Sequence, residues 1–558
     1  TERRLADYYL TWFEERGVAF KDLSGQAGPA LASLDRAYEN LRLAWLLAGQ
    51  HGLVTLQHRV ANAWLQYHIL RSRAQDGVEL FTAAIAALGT GPDDSAQLAL
   101  RLRLHVGAAR MYGRLNQTAQ VVSHVEAVIG LNPGPEHVDE LARAYLFWGL
   151  SLQDVGAYAE ADQAMLRGLA EAQAANASHL EADFYRGLGN SASYQGDLPG
   201  SRHYWELSLQ HLDKQASPRG MAATLGNLAE ACTQSGEFDQ ARRYFGQAIE
   251  LFELIHDQSS WARCLNMLAR AELLQGDVAA GASHYAAANE YLTEANETQF
   301  ALDSAHGLLE AALLTGAYDQ AAQLLAEIEK QTTIRPGQQA ALQVLQGRYF
   351  MLLGRYAEAQ AELTAALTLT DDIFVLQTEF LAALVAWRLD DLATATATIE
   401  RCLATARDEN RGLELAQFSW LVGQMKLYAG EPAAAVAALA EAADWSRRQG
   451  VTPLWLQSSA TLSLVELELG HAKQAGEILA GVVAALAVGE PAGLPDPFLF
   501  YEQLLQVMAS LQPARVSVIR AAAQQQFRAQ QALISGHHAQ QRFLHADSSR
   551  QFVMREPL

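Results

Sequence analysis

The sequence predicts an all-α solenoid, a stack of helix pairs repeating about every forty residues. Three observations carry this: a recurring turn signature, two further columns of small residues in register with it, and the placement of the prolines. The signature is glycine, any residue, an aromatic or aliphatic residue, two more, then a small residue. It occurs at Gly156/Tyr158/Ala161, Gly196/Leu198/Ser201, Gly236/Phe238/Ala241, Gly276/Val278/Gly281, Gly316/Tyr318/Ala321 and Gly354/Tyr356/Ala359. Weaker copies follow at Asp390/Leu392/Ala395, Gly430/Pro432/Ala435 and Gly470/Ala472/Ala475, and successive spacings are 40, 40, 40, 40, 38, 36, 40 and 40. Unrelated loops of one globular core do not keep such a beat.

Each element has a physical reason. Glycine suits the left-handed residue that ends a first helix. The third position fills the gap between the two helices, and the small sixth position lets their backbones approach. Seven residues beyond it runs a second column: Gly168, Ser208, Ala248, Ala288, Ile328, Ala366, Cys402, Ala442 and Val482. It lies two helical turns along the same face, where a close crossing favours small side chains. Seven residues before the turn runs a third: Gly149, Gly189, Ala229, Ala269, Leu309, Gly347, Ala383, Gly423 and Ser463. The prolines avoid predicted helix interiors: Pro133, Pro135, Pro218, Pro336, Pro453, Pro491, Pro495 and Pro497 fall between units, and Pro199 and Pro432 sit in a first helical turn.

These columns and their spacing resemble the tetratricopeptide repeat, with the best copy LGNLAEACTQSGEFDQARRYFGQAIELF at 225–252. The resemblance implies a right-handed superhelix of about ten antiparallel helix pairs, with units longer than the usual thirty-four residues. The expected organisation is an off-pattern helical linker with a degenerate repeat at 1–92, the repeat superhelix at 93–490, capping helices at 491–534 and a polar, loosely docked tail at 535–558.

The N-terminal region carries YYLTWFEERG at 8–17, a Gly/Pro-bearing loop at 25–29, and DRAYENLRLAWLLA at 35–48. This combination looks like the segment that joins the nucleotide-binding half to the repeats in bacterial STAND-type signalling ATPases, the MalT-like and large LuxR- or SARP-type regulators. The resemblance implies a sensor arm that receives an inducer and contacts an N-terminal ATPase module of a longer parent. A start at Thr1 without methionine fits that expectation. The chain has no G-x-x-x-x-G-K-[ST] loop, so neither ATP hydrolysis nor a DNA-reading helix is assigned to it.

Composition narrows the function further. The net charge is −21 with no dense Lys/Arg run, which argues against direct nucleic-acid binding. No apolar stretch approaches twenty residues and no signal peptide is recognisable, so neither a membrane span nor secretion is expected, and the expected location is cytoplasmic. Cys232, Cys264 and Cys402 fall in predicted helices as buried packing thiols. There is no H-E-x-x-H, C-x-x-C or G-x-S-x-G motif. His537-His538 sits in the polar tail, and Asp371-Asp372 and Asp390-Asp391 lie at predicted helix ends or turns, where capping accounts for them. No catalytic residue, metal site or cofactor is therefore assigned.

What remains is the face of the first helices. In tetratricopeptide arrays, positions ten, nine and six before the turn glycine look into the concave groove. Here they give Arg186, Asn190, Asn227, Glu230, Asn266, Arg270, His306, Glu310 and Arg348, and Gly226 and Leu345 as well. Further on the same positions turn apolar, with Phe380, Leu381, Leu384 and Trp420, and Trp387 and Tyr428 close by; these aromatics either end the groove or belong to the core, as Trp148, Trp205 and Trp261 are expected to. Such a strip suits an inducer, whether small molecule, peptide or protein. Two plainer alternatives stand beside it. The strip is a solvated face with Arg270–Glu310 or Arg186–Glu230 ion pairs, or the chain is a constitutive interaction scaffold without a switch.

Overall fold

The structure, a computed structural model, describes all residues except 22–26, 90–93, 213–216, 332, 333, 335, 370–374, 410, 490 and 556–558. The Asp371-Asp372 pair lies outside the described residues. Among those described, the chain forms 28 α-helices and two short 3-10 helices, with no strand. It divides into two compact units: residues 1–231 with 243–264, and residues 232–242 with 265–558.

The turn signature folds as the sequence implies. Gly156, Gly196, Gly236, Gly276, Gly316, Gly354, Gly430 and Gly470 all have φ between 73° and 94°, and Asp390 takes the same conformation at 64°. There a left-handed residue ends one helix and the next starts two residues on, as at Thr298–Thr315, Gly316 and Tyr318–Ile328. Ser72 and Asn116 close earlier pairs with φ of 51° and 56°. The sequence pattern misses these two because neither is glycine. Asn132, Asn176, His256 and Asn296 supply left-handed residues at the other turn, between pairs, a use to which asparagine is suited by its local hydrogen bonding.

The small columns are where backbones meet. Ala161, Ser201, Ala241, Ala321, Ala359, Ala395, Ala435 and Ala475 are all 0% exposed. A Cβ on Gly149 would come within 3.2 Å of the Ala161 carbonyl oxygen, and one on Gly281 within 2.9 Å of the Ala269 carbonyl oxygen. The first and third columns therefore face each other across each crossing. The gap-filling position is less uniform: Phe238 and Tyr318 are buried, whereas Leu392 is 39% exposed.

In the first unit, the N-terminal helices Glu2–Gly17 and Ala27–Gln50 pack with Val54–Leu70 and Ala74–Ala87 around Phe13, Trp45, Trp64, Tyr67 and Phe81. The second of these helices begins at Ala27, so residues 27–29 of the expected loop at 25–29 are helical, and 25 and 26 lie outside the described residues. The helices Val54–Leu70 and Ala74–Ala87 are joined by a turn in which Ser72 has φ of 51°.

In the second unit the polar-tail reading is corrected. The last residues form helices His537–His545 and Ser548–Met554, and Phe543, Leu544, Val553 and Met554 are buried in the main core of this unit. Four apolar side chains, an adjacent pair on each of two short helices, overcome a polar composition once there is a face to receive them. The glutamine-rich helix Pro513–Ala532 reaches back to an earlier turn, where the Gln530 side chain sits against Gly316.

Candidate functional site

Positions six, ten, thirteen and seventeen before each turn differ by four, three and four residues, so they share one face of every first helix. Their side chains are described for each unit separately.

In the first unit, the helix Ser178–Tyr194 carries Arg186 and Asn190. Arg186 bonds Asp183 one turn earlier at 2.6 Å. Asn190 Oδ1 accepts from Trp205 Nε1 at 3.0 Å and from Asn227 Nδ2 at 2.8 Å. These amides tie neighbouring repeats together. Glu230 is half-buried, four residues beyond Gly226, where an added Cβ would meet nothing within 4 Å.

The sequence reading missed residues on this same face. Asp183 is surrounded by Arg186, Arg143 and Arg110; burial alone would raise its carboxyl, but the three guanidinium groups hold it below the usual range. Arg110 is pushed down to about 9, first by burial and then by the like charges of Arg114, Arg219 and Arg186. Arg219 pairs with the buried Asp257 at 2.7 Å. The signal was available: Arg110 stands six before the Asn116 turn, Arg143 and Asp183 thirteen before theirs, and Arg219 seventeen before its own. None of the four stands at the six, nine or ten positions of a glycine-marked turn.

In the second unit, Asn266 Oδ1 accepts from Ser304 Oγ at 2.8 Å, and its Nδ2 donates to the Phe300 carbonyl at 3.4 Å. Glu310 and Arg348, on consecutive first helices, pair at 3.1 Å. Arg270 is half-buried on the same face. His306 is buried, which pushes its imidazole down to about 4 and keeps it neutral near pH 7. Its Nε2 has no hydrogen-bond partner among the described residues. Arg348 lines a space of about 30 Å³ with Tyr318, Leu352, Phe527 and Gln530, room for a water or two rather than a ligand.

The apolar end of the strip is corrected. Trp420 is 0% exposed, as is Leu384, and Phe380 and Leu381 are buried with them. Trp420 Nε1 donates to Thr461 Oγ1 at 3.3 Å, and Thr461 joins Gln424 and Gln503 in a buried amide network. Here the inner faces pack against one another, so these aromatics are core rather than groove wall. Tyr428 alone of this group stands exposed, its ring edge-on to Trp387 at 6.2 Å. The other nine predicted site residues are half-buried or buried.

A tetratricopeptide-repeat family model matches residues 180–254. No curated protein sequence matches the chain. Similar solved structures include a Rap protein complexed with competence and sporulation factor, at 15% identity, covering 62% of this chain and 97% of that one with a TM-score of 0.47. They also include the APC/C hetero-tetramer Cut9-Hcn1, at 12% identity over 90% and 96% of the two chains with a TM-score of 0.44. The apo quorum sensor NprR from B. thuringiensis is a third, at 14% identity over 69% and 97% with a TM-score of 0.36.

Proposed function

We propose that the chain is the sensing domain of a multidomain STAND-type regulatory ATPase. An inducer, whether small molecule, peptide or protein, binds along the first-helix faces, and its occupancy is relayed to an ATPase and effector module not contained in these residues. The observation that supports this reading is the recurrence of half-buried polar side chains at the same helix positions over consecutive repeats, with hydrogen-bonding capacity left over at His306 Nε2 and Arg186 Nη1. A pure packing face has no use for such groups, because an unmet buried polar atom costs about 1–3 kcal/mol.

The relay follows from linkage. A repeat array is a stack of nearest-neighbour interfaces, so a ligand touching several repeats shifts each of them slightly. Moving a two-state arm from 1:99 to 99:1 requires a differential affinity of about 5.5 kcal/mol, within reach of three or four charged or amide contacts.

Two experiments test this. The parent coding sequence upstream of Thr1 should encode a G-x-x-x-x-G-K-[ST] loop, and a parent without one removes the ATPase context. Asn227→Ala combined with Arg270→Ala should abolish the parent's inducer response while the circular dichroism of the domain stays helical. A full response in that double variant would return the strip to a structural role and favour a constitutive scaffold.

A further inference from the structure

The first unit concentrates positive charge on its inner face in a protein whose net charge is −21. Arg110, Arg143 and Arg186 come from three successive first helices, Ser95–Arg114, Val138–Gln153 and Ser178–Tyr194. All three act on one carboxylate, Asp183. Three cations against one anion leave an excess of two positive charges. Among the described residues, Arg186 pairs with Asp183, and neither Arg110 nor Arg143 has a carboxylate within 4 Å. Arg110 instead lies over the Phe147 ring at 5.1 Å, which fixes its guanidinium in place. Arg186 Nη1 is buried and has no hydrogen-bond partner among the described residues.

Like charges held together in a partly buried place cost free energy unless something compensates them. On the next first helix, Pro218–Gln234, Gly226 carries no side chain, and an added Cβ there would meet nothing within 4 Å. The sequence therefore assembles guanidinium groups, the side chains best matched to a planar or tetrahedral oxyanion, and leaves their donors unused.

We propose that this face is an oxyanion-binding site, in which Arg110, Arg143 and Arg186 together hold a carboxylate or phosphate group carried by the sensed molecule. The site rests on the sensing reading for its purpose but on the first unit alone for its geometry. Asp183 acts as a positioning residue, fixing Arg186 so that one of its nitrogens stays free for the ligand.

The test is calorimetric titration of the 558-residue chain with sodium phosphate, and separately with sodium acetate and sodium succinate, at ionic strength held constant with chloride. Saturable binding is expected, with a rise in melting temperature. Arg110→Met and Arg143→Met should each weaken it about tenfold or more, the loss of one charged hydrogen bond. Arg448→Met, at a side chain 65% exposed, should leave it unchanged. Tighter phosphate binding assigns a phosphate-bearing ligand, and tighter carboxylate binding a carboxylate-bearing one. A structural arginine behaves differently: without anion, Arg110→Met should melt no lower than the parent chain, because a repelling charge has gone. No saturable binding, an affinity in both variants equal to that of the parent chain, or a lowered melting temperature in anion-free Arg110→Met would each overturn the site. If that happens while Asn227→Ala/Arg270→Ala still abolishes the inducer response, only the oxyanion site falls and the sensing function stands.

Discussion

Arg550 is the residue on which docking of the last two helices turns. It is 4% exposed, and its guanidinium donates to Asp547 at 2.9 Å, to the Leu352 carbonyl at 3.0 Å and to the Met351 carbonyl at 3.3 Å. A further bond goes to the Phe543 carbonyl, and the group lies over the Phe498 ring at 4.3 Å. Met351 and Leu352 end the helix Pro336–Leu352, where carbonyls lack helical partners and the dipole is negative. Arg550→Met keeps the apolar stem and removes the charge. Breaking a buried pair costs about 3–5 kcal/mol, but Asp547 keeps the Tyr356 hydroxyl at 2.5 Å, which favours the lower end. A loss of about 3 kcal/mol is roughly a hundredfold in local opening. Hydrogen exchange read on peptides covering 537–554 should therefore accelerate by about two orders of magnitude, while residues 1–231 keep their protection. Unchanged exchange over 537–554 would refute the assignment of Arg550 as the anchor.

Other expectations concern the repeats and the same anchor. Ala321→Leu should destabilise by about 1–3 kcal/mol in urea denaturation, because the site is fully buried at a close helix crossing; the exposed neighbour Gln320→Leu should change little. Gly354→Ala and Gly430→Ala share φ near 74° and so a left-handed strain of about 1–2 kcal/mol. Only the first would also press against Ala546, at 2.4 Å, so it alone should increase proteolysis of the last helices. Asp547 is raised by burial, yet Arg550 and Arg388 outweigh this and hold it below its ordinary 3.8. Its contribution is thus present above pH 3.8 and is lost as the pH falls through the depressed value. Exchange of 537–554 measured between pH 5 and pH 2.5, after correction for intrinsic rates, should show that loss.

Local rules determined the repeat. A left-handed residue ends a helix through its own backbone energetics, and a small residue permits close crossing through its own volume, so turns and crossings are readable from single positions and their spacing. Ser72 and Asn116 escaped because other residues also reach that conformation when the packing holds them there. The polar strip was readable as a set of positions, since helical period alone puts Asn190, Asn227 and Asn266 on inner faces.

What only the tertiary structure decided is which inner faces stay unfilled. Trp420 and Asn227 occupy nearly equivalent positions in their repeats, yet one is sealed in core and the other is half-buried in an amide ladder. Burial at these positions depends on what other repeats bring across the interior, and no single repeat encodes that. The same holds for Arg110, Arg143 and Arg186, far apart in sequence and joined only by folding, and for a tail whose polar composition concealed four apolar side chains and one arginine. Electrostatics and packing act through space, whereas the turn signature acts along the chain.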